Sequence, residues 1–276
     1  MTLLEAGVLG IVQGLTEFLP ISSIAHLRVV PALLGWDDPG AAFSAVIQLG
    51  TLLAVLVYFA ADMRAIVRAA LRDLFAGRPL ASHEARLAWY IAFGTLPIGI
   101  CGLAFKKHIE GGWRSLYVIA ASLIVLGILL WWAERRAALR REVAEIGWLD
   151  SQLIGLAQAV ALIPGSSRSG TTMTAAMFLG LTREAAARFS FLLGIPAIGA
   201  AGVFQLRELL QGGAGPMGVG PLAVATVTSA VSGYLAIDLL LRYLRRNTMY
   251  VFVWYRIGLG IVLLLLLAAG WLKPLG

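Results

Sequence analysis

Long apolar runs alternate with short polar stretches along this chain. A bilayer core about 30 Å thick needs about 20 helical residues at 1.5 Å each, so runs of about 18 or more apolar residues predict transmembrane helices. Six runs meet this length: roughly 43–60, 87–105, 116–133, 187–206, 219–241 and 249–271. The pattern therefore predicts an all-α polytopic membrane protein with about six transmembrane helices.

Two further apolar segments are interrupted by stretches rich in proline and serine. Residues 3–34 are broken at 19–23, and residues 148–181 at 164–170. Each half is about 10 to 17 residues long, which is too short to cross a bilayer alone. Non-helical backbone at membrane depth occurs only where protein or a water-filled cavity surrounds it. We therefore expect two re-entrant helical hairpins.

The two halves of the chain resemble each other weakly. The residues GIVQ and PISS within 10–23 recur as GLAQ and PGSS within 155–167. A Phe-Ser pair opens a later span in both halves, at 43–44 and at 189–190. Broken helices in matching positions are typical of inverted-topology folds, whose sites lie where the repeats meet. We expect a single membrane domain built from repeats at about 1–133 and 148–276.

Composition and charge support the membrane assignment. The 276 residues are 59% hydrophobic and 13% charged, with a mean hydropathy of +0.85, whereas soluble domains carry roughly 25% charged residues. Of the 22 Lys and Arg, 14 fall in the connections 61–86, 134–147, 182–188 and 242–248. Cytoplasmic connections collect Lys and Arg, so we expect both termini outside.

The same distribution argues against binding to nucleic acid. The net charge is +7, but the basic residues do not form a patch beside stacking aromatic residues. One cysteine, Cys101, excludes a disulfide framework and a cysteine metal cluster.

Four ionisable side chains lie within the apolar segments: Glu17, His26, Arg168 and Arg256. A charge at the centre of a transmembrane helix costs about 2.5–3.5 kcal/mol on insertion scales, so such residues are treated first as functional candidates. Arg256 lies in the last span, where we expect it to pair with a neighbour or to reach the interface. The other three flank the two breaks.

The first break brings polar side chains together. Gln13 and Glu17 are four residues apart and project from one helix face. If a second short helix starts after the break, Ser22 and Ser23 share a face with His26. A carboxylate, two hydroxyls and an imidazole can then converge. In the alternative interpretation, Glu17 and His26 lie at a water-exposed mouth and the serines satisfy the broken backbone.

The second break is a glycine-bracketed polar loop that precedes a short apolar helix. A helix N-terminus of this kind presents free N–H groups to an anion, and the planar guanidinium of Arg168 matches phosphate oxygens. Ser167, Ser169 and Thr172 can donate further hydrogen bonds. In the alternative, the loop is structural and Arg168 pairs with Glu17, which also requires that the hairpins meet.

These two stretches resemble the signatures of the bacterial undecaprenyl-pyrophosphate phosphatases, the bacitracin-resistance type. The first stretch is QGLTEFLPISS at 13–23 with His26 following, and the second is PGSSRSGTT at 164–172. The resemblance implies a multi-pass hydrolase of the bacterial cytoplasmic (inner) membrane. Such an enzyme hydrolyses undecaprenyl pyrophosphate to undecaprenyl phosphate and inorganic phosphate, which recycles the lipid carrier for peptidoglycan and the cell wall. A homodimer is an expectation from the family alone.

The resemblance also implies roles for matching positions. The family's functional positions fall on Glu17, Ser23, His26, Ser167, Arg168 and Thr172. With the candidates from the residue patterns, the predicted catalytic residues are Glu17, Ser23, His26 and Arg168. The predicted substrate-binding residues are Gln13, Ser22, Ser167, Ser169, Gly170 and Thr172.

A divalent cation, Mg²⁺ or Ca²⁺, is expected to be held by Glu17 and the substrate phosphates. The nucleophile is open between Ser23 with His26 as its base, His26 itself, and water. We prefer the pair of Ser23 and His26. Ile24 and Ala25 stand where a small Ser/Thr–Gly pair is typical of the family, which leaves the backbone there less defined.

Two transport functions compete with the hydrolase. One is a flippase or transporter for the lipid phosphate, and the other is a transporter of small anions. Inverted repeats with broken helices are a transporter architecture, and glycine-serine loops at helix N-termini also bind bare anions. Neither function requires His26 close to Ser23.

Overall fold

The computed structural model describes residues 1–110, 112–211 and 218–274. Within these ranges the chain forms thirteen α-helices and two 3₁₀ turns, and no strand is found there, so the all-α prediction is confirmed for them. The helices are α1 (Leu3–Phe18), α2 (Ser23–Leu34), α3 (Gly40–Tyr58), α4 (Ala60–Phe75), α5 (His83–Gly94), α6 (Leu96–Ala104), α7 (Lys106–Glu110), α8 (Leu116–Arg136), α9 (Trp148–Val160), α10 (Arg168–Phe178), α11 (Arg183–Gln211), α12 (Val219–Leu244) and α13 (Tyr250–Ala268). The 3₁₀ turns are Gly112–Arg114 and Val143–Glu145.

Six segments of the described chain are long and apolar enough to cross a membrane, which confirms the predicted number. Their bounds differ by a few residues from those that the sequence predicted. They are Gly40–Tyr58, His83–Ala104, Leu116–Arg136, Arg183–Arg207, Val219–Leu244 and Tyr250–Ala268.

The second of these spans is interrupted, whereas the sequence predicted one complete span at 87–105. Helix α5 ends at Gly94 and α6 begins at Leu96. Pro97 lies in the first turn of α6, where its missing N–H cannot continue the hydrogen-bond ladder of α5. The hydroxyl of Thr95 donates to the Ile91 carbonyl at 2.7 Å across the break.

The predicted cytoplasmic connection 61–86 contains a helix, α4, that the sequence analysis did not foresee. Ile66 is buried on one face of α4, while the opposite face carries exposed arginines, as expected for an amphipathic helix. Asp62 of α4 pairs with Arg188 of α11 at 3.1 Å. This pair fixes α4 to the bundle.

The two broken segments form pairs of short helices. Helices α1 and α2 have 16 and 12 residues, and α9 and α10 have 13 and 11. We call the connection 19–22 the first tip and the connection 161–167 the second tip. These lengths match the predicted half-spans. The re-entrant course, the inverted repeat and its division at 1–133 and 148–276 stay predictions.

Close packing against α12 fixes α1, which carries Glu17. A Cβ atom on Gly10 would lie 2.3 Å from the Ala225 carbonyl oxygen, and one on Gly14 would lie 2.5 Å from that of Ser229. Only glycine permits this approach, and small residues serve the same purpose in many membrane helix interfaces. The position of Glu17 is therefore set by backbone contact.

Ion pairs join the helices at both ends of the bundle. At the end that carries the predicted cytoplasmic connections, Arg183 pairs with the buried Glu134, and Arg141 pairs with Asp150 at 2.6 Å. Asp150 also accepts from Gly147 N at 2.8 Å, so it caps the N-terminus of α9. At the opposite end, Asp38 accepts from Arg114 at 2.9 Å.

Candidate active site

The two tips meet through residues at the start of α10. The Ser169 hydroxyl lies 2.9 Å from the Leu19 carbonyl oxygen and 3.2 Å from that of Glu17, and it donates toward both. Arg168 Nη2 donates to Glu17 Oε1 at 3.2 Å, and Nη1 donates to the Ser190 carbonyl at 3.1 Å. Glu17 and Arg168 are 151 residues apart in sequence, yet they form one buried ion pair.

Glu17 is the centre of the polar network. Its Oε2 atom accepts from Ser23 Oγ at 2.7 Å and from Gln13 Nε2 at 2.9 Å. The carboxylate is only 6% exposed, so these donors and Arg168 replace the water it has lost. A carboxylate that accepts the proton of a serine hydroxyl at this distance has the geometry of a general base for that serine.

Both tips end in a serine with a strained backbone. Ser22 and Ser167 have φ values of 73° and 69°, a region that costs non-glycine residues about 1–2 kcal/mol. Each side chain caps the helix that follows, since Ser22 Oγ accepts from Ala25 N and Ser167 Oγ from Gly170 N. Backbone strain of this kind is concentrated at functional sites. The capped N-termini of α2 and α10 both adjoin the ion pair.

The matching caps correct the alignment of the two halves. The sequence aligned Ser22 with Ser166 because both follow a proline by two residues. In the structure, Ser22 corresponds to Ser167 in backbone angle and in capping role. The second tip contains one more residue after its proline, Gly165, which has a φ of 91°.

His26 lies close to the network but its ring contacts other groups. Its Nδ1 atom lies 2.7 Å from the Ser22 carbonyl oxygen, which can only accept, so Nδ1 carries a proton. In the neutral ring, Nε2 then accepts from the Tyr255 hydroxyl at 2.6 Å. The two rings are stacked with centroids 5.6 Å apart. Ser23 is therefore paired with Glu17 here, and the preferred pairing of Ser23 with His26 does not occur.

Of the two expectations for Arg256, the contact with neighbours is found and the reach to the interface is not, since Arg256 is 0% exposed. No acidic side chain among the described residues pairs with it. Its guanidinium donates to main-chain carbonyls of both tips: Nη1 to Pro20 at 3.2 Å, and Nη2 to Gly165 at 3.2 Å and to Ser166 at 2.9 Å. Arg256 thus joins the two tips from the side of α13.

A cavity of about 140 Å³ lies between the tips. Five of the predicted site residues line it, and Gln48 of α3 and apolar residues of α6 and α11 also form part of the wall. The five are Glu17, Ser22, Ser23, Ser167 and Arg168. The cavity therefore combines a carboxylate, a guanidinium and three hydroxyls.

The other predicted site residues lie behind this wall. The Thr172 hydroxyl bonds the Arg168 carbonyl at 2.7 Å and Ser190 Oγ at 2.6 Å. Gly170 leaves room for Arg256, since a Cβ atom there would lie 2.5 Å from Arg256 Nη1. With Gln13, His26 and Ser169, these residues support the lining residues. Their direct contact with a substrate stays a prediction.

A second and larger cavity of about 470 Å³ adjoins the first. It runs between α3, α6 and α11, and most of the residues that line it are apolar. Its far end reaches Lys106 and Arg114, at the end of the bundle opposite the predicted cytoplasmic connections. A polar chamber is thus continuous with an apolar groove.

Four contributors to the site were not found from the sequence: Gln48, Ser190, Gly194 and Tyr255. Gln48 lines both cavities. The sequence contains a signal for Gln48, because it is a polar residue within an apolar span. Gly194 and Ser190 contact Arg168, and Tyr255 contacts His26, through tertiary packing that no local pattern records.

Oxygen atoms beside the ion pair fit a hard divalent cation. Glu17 lines the cavity, and Gln13 Oε1, next to it, is buried and has no hydrogen-bond partner among the described residues. Mg²⁺ in phosphate sites is commonly held by one or two carboxylates together with substrate phosphates. Within the described residues, no cluster of three or more His, Cys, Asp or Glu side chains could hold a metal by itself.

Comparisons with known proteins agree over nearly the whole chain. Residues 6–262 match the family model described as bacitracin resistance protein BacA. The chain is 57% identical to the undecaprenyl-diphosphatase of Myxococcus xanthus (strain DK1622), over 100% of this chain and 92% of that protein. It is 56% identical to the undecaprenyl-diphosphatase of Chlorobium phaeovibrioides (strain DSM 265 / 1930), over 99% and 100% respectively. For that of Chlorobaculum parvum (strain DSM 263 / NCIMB 8327) the identity is 53%, over 99% and 100%.

Proposed function

The chain belongs to the bacitracin resistance protein BacA family, and from this membership and the geometry of the site we propose that it is an undecaprenyl-pyrophosphate phosphatase. The enzyme hydrolyses the phosphoanhydride of undecaprenyl pyrophosphate and releases inorganic phosphate and undecaprenyl phosphate. The observation that carries the assignment to this site is the contact of Ser23 and Arg168 with the same carboxylate, Glu17, at the wall of a cavity.

The two cavities suit the two parts of such a substrate. The pyrophosphate needs a polar chamber with positive charge, which Arg168 and the N-termini of α2 and α10 supply. The prenyl chain needs apolar surroundings, which the 470 Å³ groove provides. The pyrophosphate therefore binds in the 140 Å³ cavity with the chain leaving along the groove.

In the first chemical step, Ser23 Oγ attacks the terminal phosphorus. A bond forms between Oγ and phosphorus, and the bond from that phosphorus to the bridging oxygen breaks. Glu17 accepts the serine proton over the 2.7 Å contact and passes it to undecaprenyl phosphate as it leaves. This step converts the serine into a phosphoserine.

In the second step, water attacks the phosphoserine. Glu17 accepts a proton from the water and returns it to Ser23 Oγ, while the bond between Oγ and phosphorus breaks and inorganic phosphate is released. Phosphoryl transfer depends mainly on positioning and charge stabilisation. Arg168 is held beside Glu17 by the Ser190 carbonyl and by Glu17 itself, and its positive charge would stabilise the transferred group.

A divalent cation, Mg²⁺ or Ca²⁺, completes the proposed site. Glu17 and Gln13 Oε1 would hold it together with the substrate phosphates. The bound cation would neutralise charge on those phosphates. Glu17 would then have four partners, because Ser23, Arg168 and Gln13 Nε2 also contact its oxygens.

The protein is a multi-pass membrane protein, and we place it in the bacterial cytoplasmic membrane. The excess of Lys and Arg in the connections 61–86, 134–147, 182–188 and 242–248 orients those connections toward the cytoplasm. The groove ends near Lys106 and Arg114 at the other side, so the substrate enters from the outer leaflet. A homodimer is part of this proposal, from the family. The transport functions are not favoured, because the relatives are named as diphosphatases.

Phosphate release from undecaprenyl pyrophosphate tests the proposal, with purified wild type and Ser23→Ala measured side by side. We expect release by wild type and a loss of at least about 10³-fold in Ser23→Ala, as for a lost nucleophile. Ser115→Ala, which only changes the cap of α8, is the matched control and should retain activity. Release by both Ser23→Ala and wild type at similar rates would make water or His26 the nucleophile. If folded wild type released no phosphate in the presence of a divalent cation, the transporter hypothesis would be favoured instead.

A further inference from the structure

Gln48 lies at the boundary between the polar chamber and the apolar groove. Six residues line both cavities, and Gln48 alone among them has a polar side chain. The other five are Ile24, Ile98, Leu162, Ala197 and Ala201. Any group of the substrate that passes this boundary therefore meets one amide in an otherwise apolar wall.

The amide of Gln48 is a half-buried polar group inside an apolar span. Helix α3 has a mean hydropathy of 2.0, and polar side chains inside such spans are expensive unless they are satisfied. The main-chain carbonyl of Gln48 accepts from Thr51 Oγ1 at 2.8 Å, but among the described residues no hydrogen bond is made by the side-chain amide. A ligand in the cavity can supply the missing partner.

The second half of the chain has glycine at the corresponding place. Gln48 follows the pair Phe43-Ser44 by the same number of residues as Gly194 follows Phe189-Ser190. Gly194 makes room for Arg168, because a Cβ atom there would lie 2.0 Å from Arg168 Nη1. The second half therefore supplies its hydrogen-bond donor from Arg168, the first residue of α10. In the first half, Ser23 is the first residue of α2, and the amide donor comes from Gln48 on α3.

We propose that the Gln48 amide donates a hydrogen bond to the phosphate that remains on the prenyl chain. The inference rests on the proposed function. The terminal phosphate must lie near Ser23 and Arg168, and the prenyl chain must lie in the groove. The phosphate between them then lies at the boundary, where Gln48 is the polar side chain. Gln48 is in this way a binding residue for the retained phosphate and sets which phosphorus faces Ser23.

Binding of two probes to the full-length protein in detergent tests this role without turnover. Farnesyl phosphate carries a prenyl-linked phosphate, and inorganic phosphate represents the released group. By calorimetry we expect Gln48→Leu to weaken farnesyl phosphate binding about tenfold, which corresponds to about 1.4 kcal/mol, and inorganic phosphate binding less than about twofold. Leucine is well tolerated in transmembrane helices, so the variant should fold.

Two further variants sharpen the comparison. Gln48→Glu places a negative charge against the phosphate, and it should weaken farnesyl phosphate binding more than Gln48→Leu does. Gln152→Leu removes an amide from α9 that lines neither cavity, and it should bind both probes like wild type. Gel filtration identifies any variant that fails to fold. If Gln48→Leu fails, Gln48→Asn replaces it, because its shorter side chain moves the amide away from the phosphate.

Unchanged farnesyl phosphate binding in Gln48→Leu would overturn the inference. So would an equal loss for both probes, because it would mean a general disturbance of the chamber. The proposed function has its own test, because it fails if wild type releases no phosphate. In that case the affinities for farnesyl phosphate and inorganic phosphate still decide the role of Gln48.

Discussion

The guanidinium of Arg168 occupies the space that a side chain at position 194 would fill. A Cβ atom on Gly194 would lie 2.0 Å from Arg168 Nη1 and 2.6 Å from its Cζ atom. Arg168 is held in this space by the Ser190 carbonyl, one turn earlier on α11, and by Glu17. Helix α11 therefore determines the direction of the arginine without contributing a polar side chain of its own at that position.

Gly194→Ala should slow the enzyme strongly while the fold remains. The added methyl group displaces the guanidinium from Glu17, and a misplacement of about 1 Å can cost about 10²-fold in rate. We expect kcat to fall about 10- to 100-fold, measured as phosphate release. Gly199→Ala on the same helix is the control, because its Cβ would make an ordinary contact of 3.6 Å with Leu52. Equal rates for the two variants would contradict the proposed placement of Arg168.

Arg256 should be required for stability as well as for activity. It is fully buried and donates to carbonyls of both tips and, at 3.5 Å, to that of Ser122, so Arg256→Met leaves four buried acceptors without this donor. An unsatisfied buried group costs about 1–3 kcal/mol, and we expect a destabilisation of at least about 2 kcal/mol, seen as a lower Tm in detergent. The compact ammonium of Arg256→Lys lacks the fork that reaches both tips, so it should rescue only part of the loss.

Arg242→Met is the control for the loss of an arginine as such. Arg242 is exposed and pairs with Asp238 four residues earlier on α12, an arrangement that contributes little. The Tm of Arg242→Met should equal that of wild type within experimental error. If Arg256→Met were as stable as Arg242→Met, the joining of the tips by Arg256 would be refuted.

The meeting of Glu17 and Arg168 could be predicted from the sequence, but the partner of Ser23 could not. Charges inside apolar segments are costly, and two opposite charges in separate breaks indicate that the breaks meet. The spacing of Ser23 and His26 placed both on one helix face. The strained backbone of Ser22 starts α2 so that Ser23 faces back to Glu17, and φ values are not visible in a spacing pattern.

Arg256 is a second case in which the sequence did not identify the partners of a residue. Its position in an apolar span marked it as unusual, and the sequence predicted contact with an unspecified neighbour or with the interface. The partners are main-chain carbonyls of the two tips, which every residue possesses and no sequence motif reports. The six spans were predictable because length and hydropathy decide them. The break at Thr95 was not, because a proline such as Pro97 does not always end a helix, and α11 continues through Pro196.

His26 should act by holding Ser22 in place. His26→Gln loses the ring that contacts Ser22 and Tyr255, and we expect kcat to fall at least about tenfold. Tyr255→Phe keeps the stacked ring and loses only the hydroxyl, so the decrease should be smaller. The decisive readout is the dependence of kcat on pH. A positioning residue leaves the shape of the profile unchanged in His26→Gln, whereas loss of one limb of the profile would make His26 a general base.

His108→Gln is the control for the loss of an imidazole. His108 lies in α7, where its ring contacts Phe105 and Trp113, away from both tips. The activity of His108→Gln should equal that of wild type. Equal damage in His26→Gln and His108→Gln would remove His26 from the site altogether.

Chelation should stop the reaction, and the variants beside Glu17 should show where the cation binds. We expect no phosphate release in EDTA and recovery with Mg²⁺ or Ca²⁺. Gln13→Leu removes the buried Oε1 atom but keeps the carboxylate, so it should raise the Mg²⁺ concentration for half-maximal activity several-fold, with nearly normal kcat at saturation. Glu17→Gln loses both the ligand and the base for Ser23, so saturating Mg²⁺ should not rescue it. Full activity of wild type in EDTA would contradict the requirement for a divalent cation. An unchanged Mg²⁺ requirement in Gln13→Leu would mean that Glu17 and the substrate phosphates bind the cation without Gln13.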